Sequence, residues 1–596
     1  MESPDRPIMA CGKDFDHPIP SRRGMSPRDG VRVDNSWMTS GQGHPKRWTI
    51  LGVLVVSLLV VVLDNTVLNI ALPTIQRDLS ASQGALVWAI DSYILVFASL
   101  LFTWGVLGDR IGRKKVLIIG LVIFGLASAI CAFSVNVGML IGFRAVMGIG
   151  GAAVLPTTLA IITVVFPPHE RGKAIGAWAG AVGAAVALGP VLGGILLQHP
   201  QWSNWLTGND WGSVFMINVP IVIVGVIAII KLVPETKNPN SRKLDLMGLL
   251  MSVAGLVALI YGIINASATR DWFSPEVVIP VVIGIAIISL FLWLENRSDH
   301  ASFDVSLFRN RGYAISLSAA TMAFFALSGI TFTLPFYLQI LRGYSVLTAG
   351  LCFVPFAVGQ LIAAPRSAHT VQRFGYRAVM TVGLSLVALS LVGMLTLRMG
   401  TPLWLILLIF FVFGLGMGNV IAPASTVMQN VLPLARAGAG SAVQNTVRQV
   451  GGALGVAIIG TVLANSYANR LQPVLADSSL PASTQELASE SVVSTVGVLS
   501  GAVEQGMPTE TAAGLQSGAF EAFLGASHVT MIISLVIVVA AALLVFFLLP
   551  VIHAPKFGDA PPVDMNPANA DDRVREEAAE YPEQLAGEIA GDDRTP

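Results

Sequence analysis

Apolar runs long enough to cross a hydrocarbon core of about 30 Å recur along most of this chain. That pattern leaves few folds open. Backbone N–H and C=O groups in lipid must bond within their own segment, so each run of about twenty residues reads as a helix. The chain is therefore an all-α polytopic membrane protein. Only 12% of its 596 residues are charged, against about 25% in soluble domains. The formal net charge is zero, which removes any global case for nucleic acid. Cys11, Cys131 and Cys352 lie far apart, so neither a disulfide framework nor a metal site is implied.

Turn and charge punctuation divide the runs into fourteen predicted helices. They start near Trp48, Ala85, Val116, Val137, Ala174, Val214, Asp245, Pro275, Gly312, Val346, Arg377, Pro402, Gly440 and Val529. The positive-inside rule orients them. With the N-terminus inside, Arg110, Arg113, Lys114, Lys115, Arg171, Lys173, Lys231, Lys237, Arg242, Lys243, Arg297, Arg309, Arg311, Arg366, Arg373, Arg377 and Arg436 fall on the cytoplasmic side. Only Arg77, Arg270, Arg342, Arg398 and Arg470 fall opposite. Both termini are thus expected in the cytoplasm. Residues 1–46 are polar and lack the early apolar region of a secretory signal. They read as a disordered tail, as do the acidic residues 553–596.

Residues 467–528 form a long, polar external connection. Two stretches in it, near 484–504 and 509–523, are expected as amphipathic helices. Such a loop is a solvated spacer, or a lid or docking site for an envelope partner.

Asp64 stands in the string L-D-N-T-V-L-N-I-A-L-P at 63–73, inside the first run. A carboxylate there costs roughly 2.5–3.5 kcal/mol on insertion scales and marks an ion path, a cavity or a partner. It lies about 25 Å along a helix counted from Arg47, at 1.5 Å per residue. Arg144, in L-I-G-F-R-A-V-M-G-I-G-G-A-A at 140–153, enters about 12 Å from the outer surface. Asp91 on the second run is expected at a similar depth. Burial favours a protonated carboxylate and a nearby cation favours the ionised one. A group between these influences can take up a proton on one side and release it on the other. Asp64 is thus the expected proton and cation site, tuned by Arg144. A static Asp–Arg pair that only fastens helices is the alternative role. For Asp91 the alternative is a residue of the outer mouth.

Three more strings share a pattern. G-V-L-G-D-R-I-G-R-K at 105–114 is a tight turn with Gly105, Asp109, Arg110, Gly112, Arg113 and Lys114. A-V-A-L-G-P-V-L-G-G at 185–194 carries Gly189, Pro190, Gly193 and Gly194, a small-residue face with a proline kink. A-G-A-G-S-A-V-Q-N-T-V-R-Q-V-G-G-A-L-G occupies 437–455. The first resembles the signature loop of the major facilitator superfamily, and the second its antiporter motif. With the first-run string and the span count, they resemble the fourteen-span drug:proton antiporter branch. The Arg-over-Lys bias points to an actinobacterial source.

That resemblance implies two six-helix bundles at 47–234 and 298–552, with two inserted helices at 235–297. It implies that the signature loop latches the halves, and it assigns proton coupling to Asp64. A decayed copy of the loop keeps Arg373, Gly375 and Arg377 but has Gln372 where Asp109 would stand.

The implied protein is a proton-driven antiporter in a bacterial cytoplasmic membrane. It exports lipophilic and cationic compounds, needs no cofactor beyond the proton gradient, and works as a monomer. Trp88, Tyr93, Phe324, Phe325, Phe336, Tyr337, Met417 and Arg448 are candidates for lining its cavity, since aromatic and Met side chains adapt to varied ligands. For Arg448 a purely structural role beside Gln444 is equally open. A dedicated exporter of a lipid, a siderophore or a self-made antibiotic is an alternative, and a membrane ligand sensor a remote one. The sequence has no G-x-x-x-x-G-K-[ST] string and no nucleophile–base cluster in the spans. ATP-driven transport and enzymatic function are therefore not expected.

Overall fold

The computed structural model describes residues 43–236, 246–269, 271–297, 305–430, 437–476, 478 and 480–550. Both expected tails lie almost wholly outside them, as do Lys237, Arg242, Lys243, Arg270 and Arg436. Regular structure among the described residues is helical throughout. The main helices are α1 (Arg47–Leu79), α2 (Gln83–Ile111), α3 (Arg113–Ala132), α4 (Val137–Val165), α5 (Pro168–Gln198), α6 (Asn218–Leu232), α7 (Leu246–Thr269), α8 (Pro275–Glu295), α9 (Arg311–Phe336), α10 (Val346–Leu351), α11 (Val354–Met394), α12 (Leu403–Asn430), α13 (Ala437–Ala476), α14 (Ala482–Ser489), α15 (Val492–Glu504) and α16 (Thr509–Leu548).

Local chemistry sets the helix ends. Orphan amides of a first turn take side-chain acceptors. Asn136 Oδ1 accepts from the Met139 amide at 2.8 Å, Ser82 Oγ from Ala85 at 3.3 Å, and Asn310 Oδ1 from Tyr313 at 3.1 Å. Gly112 separates α2 from α3 at φ 117°, a conformation that favours glycine. Gly375, at φ 79° and ψ 162°, breaks α11 into two arms, at the place of the decayed signature loop.

Among the described residues, twelve helices are long and apolar enough to cross a membrane, with the 49-residue run Val346–Met394 taken as one. Helices α1–α6 pack on one another, and α9–α13 with α16 form a second group. Helices α7 and α8 pair, and α7 lies against both α2 and α13. Thr461 Oγ1 donates to Ile263 O at 3.2 Å and Asn465 Nδ2 to Ala266 O at 2.8 Å, fixing α7 to α13.

The two groups touch along two seams, α2 with α13 and α5 with α10–α11. Gln339 Nε2 donates to Ile70 O at 2.9 Å. A Cβ on Gly194 would stand 2.8 Å from Leu347 Cα, and one on Gly350 would overlap Pro190 O. Deeper in, Thr446 Oγ1 donates to Ala98 O at 3.3 Å.

Three expectations change. The last helix does not start at Val529: α16 runs unbroken from Thr509, because the amphipathic stretch there continues the helix. The fifth helix begins at Pro168, a first-turn proline, and not near Ala174. The connection expected at 467–528 shrinks, since α13 extends to Ala476. Its expected first helix is two, α14 and α15, with Ser491 capping the second at the Ser494 amide. Tyr467 and Thr495 hydroxyls meet at 2.5 Å and Thr495 Oγ1 donates to Ala488 O at 2.7 Å, so the loop is pinned to α13.

Candidate functional site

The structure joins Asp64 of α1 to Arg144 of α4 in a direct ion pair, both side chains fully buried. Asn218, the first residue of α6, donates through Nδ2 to Asp64 Oδ1 at 2.9 Å and to Ser128 Oγ of α3 at 3.0 Å. Ser128 Oγ in turn donates to Phe215 O at 2.9 Å. Arg144 Nε donates to Ala89 O of α2 at 3.1 Å, and the Tyr93 ring lies 4.4 Å beneath the guanidinium. Five helices thus meet at one pair. Such charges are tolerable at this depth only when paired and hydrogen-bonded. Arg144 Nη2 is buried with no acceptor, so the cluster has one donor to spare.

Asp91 is also fully buried, but neither oxygen has a hydrogen-bond partner. It does not join the pair. Two residues from Tyr93, it is turned about 200° around α2. It shares the face of Gly84 and Val87, which meet Ile264 of α7 and the Gly460 position of α13. The expected three-residue layer is therefore a pair plus a separate carboxylate across the helix.

Gly189 and Gly193 sit against α1: a Cβ on Gly189 would overlap Thr66 Oγ1, and one on Gly193 would lie 3.1 Å from Val67 Cγ1. Gly194 and Pro190 face α10, as described. The 105–114 turn is tied within the first group. Arg113 Nη1 donates to Ala160 O at 3.0 Å, Lys114 Nζ to Ile230 O at 2.8 Å, and the Arg113 amide to Thr236 O at 2.9 Å. The Asp109 side chain lies outside the described residues, Arg110 is exposed, and Gly105 packs by Pro156. Glu235, which sequence patterning passes over, caps α3: its Oε1 accepts from the Lys114 and Thr236 amides, both at 3.2 Å. Glu235→Ala should cost about 0.5–2 kcal/mol, the range for a lost cap, and thermal unfolding in detergent would read it as a lower Tm. An unchanged Tm would remove Glu235 from this role.

Of the cavity candidates, Tyr93 belongs to the ion-pair cluster. Phe325, Phe336 and Met417 are packed inside the second group. Tyr337 is buried too, its hydroxyl donating to Arg398 O at 2.9 Å. Trp88 turns toward Tyr261 of α7, ring centroids 6.5 Å apart. Phe324 and Arg448 stay half-buried, with the guanidinium 4.8 Å from the ring. Asn218 and Ser128 were the polar residues a sequence could have yielded, each a lone polar group in an apolar span.

Two packed groups of membrane-length helices, the first built around a buried ion pair, define a polytopic membrane transporter. The chain belongs to the Major Facilitator Superfamily, whose profile matches residues 54–456. It is 32% identical to the multidrug efflux pump LfrA of Mycolicibacterium smegmatis, over 83% of this chain and 94% of that one. It is 31% identical to the tetracenomycin C resistance and export protein of Streptomyces glaucescens, covering 78% and 82%. The methyl viologen resistance protein SmvA of Salmonella typhimurium is 32% identical, covering 71% and 83%. The fold matches a bacterial homologue of the lysosomal transporter Spinster, crystallised inward-facing and unoccupied, with TM-score 0.58, 18% identity and coverage of 84% and 98%. It also matches a D-xylose–proton symporter, with TM-score 0.57, 15% identity and coverage of 85% and 98%.

Proposed function

We propose that this chain exports lipophilic and cationic small molecules across the bacterial cytoplasmic membrane in exchange for protons. The observation that carries the proposal is the Asp64–Arg144 pair, sealed among five helices with Asn218 and a spare donor. An ionised Asp64 holds Arg144 and a protonated one frees it, so proton uptake biases the packing of α1 against α4. The glycine face of α5 against α1 and α10 is the surface on which such a bias becomes movement of one group against the other. The names of the curated relatives support efflux of drugs. The proton gradient is the only energy source, with no bound cofactor, and the unit is a monomer.

Counting the two arms about Gly375 separately and adding α5 brings the spans to fourteen, in bundles at 47–234 and 298–552 with the α7–α8 pair within 235–297. Both termini face the cytoplasm in this scheme. A membrane-impermeant maleimide should then label Ser500→Cys in intact cells and Arg110→Cys only after lysis. The reverse pattern would invert the topology.

Function is tested in proteoliposomes. An imposed pH gradient should drive ethidium accumulation, and collapsing it with nigericin should stop the flux. Ethidium movement indifferent to the gradient would sink the exchange mechanism. The Streptomyces relative, named for export of one antibiotic, favours a second reading as a dedicated exporter. A carrier of that kind would move one compound of a chemically varied panel and leave ethidium behind.

A further inference from the structure

Arg448 lies in the N-terminal part of α13 with no acidic partner among the described residues. The sequence from 311 to 476, which makes up α9–α13, contains no Asp or Glu at all. The contrast with Arg144, locked onto Asp64, is direct. Arg448 Nη2 donates to Asn445 Oδ1 at 2.7 Å, while its Nε is buried without an acceptor. The Phe324 ring of α9 lies 4.8 Å from the guanidinium carbon. Asp91 does not compensate it, since neither Asp91 oxygen has a partner.

The helix has a polar side, and Arg448 is on it. At about 100° per residue, Gln444, Arg448, Asn445 and Gln449 fall within one arc of α13. Val447, Val450, Leu454 and Ile458 fall on the other side. The polar arc faces the interior: Gln444 Nε2 donates to Ser425 Oγ of α12 at 2.7 Å, and Gly451, Gly452 and Gly455 abut Thr321, Ser328 and Phe325 of α9. Arg448 itself is not fully buried.

We infer that Arg448, with Phe324 and Asn445, forms a subsite for the acidic group of an aromatic amphiphile bearing a carboxylate. The guanidinium has an Nε donor with no acceptor that a carboxylate would satisfy, and the ring beside it offers a face to an aromatic body. The inference deepens the export proposal and rests on it: the second helical group would read an acid, where the first reads protons and cations.

The test uses the full chain in lipid nanodiscs with two fluorescent probes, 1-pyrenebutyrate and its methyl ester, which differ in the carboxylate alone. The wild type should bind the acid about tenfold more tightly than the ester, the size of one charge-assisted hydrogen bond. R448Q should erase the preference, and R448K should keep most of it. Equal affinity for acid and ester in the wild type would overturn the inference, as would failure to bind the acid. So would a preference that survives in R448Q. These measurements need no proton gradient. A protein that prefers the acid yet shows no gradient-driven ethidium flux would refute proton-driven export and leave the subsite standing. Should R448Q not fold, the wild-type ratio and R448K still decide.

Discussion

Asp64→Asn is expected to abolish accumulation driven by a pH gradient, with flux down to the level of protein-free vesicles. The substitution keeps the shape and removes the charge that Arg144 answers. The guanidinium then sits buried beside an amide, and breaking a buried pair from one side costs roughly 3–5 kcal/mol. Stability should fall with activity, so a loss of flux alone does not isolate coupling. The double variant Asp64→Asn/Arg144→Gln separates the two. Removing both charges is often neutral for stability, so its Tm should return toward the wild type. Its gradient-driven flux should stay lost, because no titrating group remains at the pair. Recovery of flux in the double variant would show the pair to be only a fastening between α1 and α4.

Gly350→Val is expected to slow export by an order of magnitude or more while the protein still inserts. A Cβ at Gly350 would overlap Pro190 O and lie 3.4 Å from Val191 Cα. Both are backbone atoms, so no rotamer change relieves the clash. Overpacking of this kind costs about 1–3 kcal/mol, charged here to one arrangement of the two groups and not to the other. That shifts their balance by about a factor of 5 to 150, at 1.4 kcal/mol per tenfold. Cysteines placed at exposed positions beside the seam, such as Ser345, should become more accessible in step. Wild-type transport with unchanged accessibility would mean that the α5–α10 contact does not govern the cycle.

Much of this architecture is legible in the chain, because lipid leaves each long apolar run one conformation. The Asp64–Arg144 pairing follows from depth along two helices, a one-dimensional estimate that the structure meets. The same estimate puts Asp91 at the right level, between Ala89 and Tyr93 that both touch Arg144, but depth carries no information about which side of α2 a residue faces. Tyr93, two residues on, takes the side toward Arg144. Asn218 was visible as a polar residue in the sixth span, yet only the fold brings it to Asp64, 154 positions away. Glu235 gave no signal of its own, because its cap is formed with an amide 121 positions earlier. The boundary near Val529 was misplaced for a simpler reason. Polarity changes there and helicity does not, so a hydropathy edge marks where the membrane ends and not where α16 begins.

Helix α7 runs along the line where α2 meets α13, held to α13 by Thr461 and Asn465 and nested on Gly84 of α2 through Ile264. Two such lines separate the helical groups, and among the described residues no inserted helix lies across the other, between α5 and α10–α11. For the proposed exporter, sideways entry from the bilayer would then favour the seam between α5 and α10–α11. Neighbouring proteins crowding the α7 flank would then be expected to leave export undisturbed.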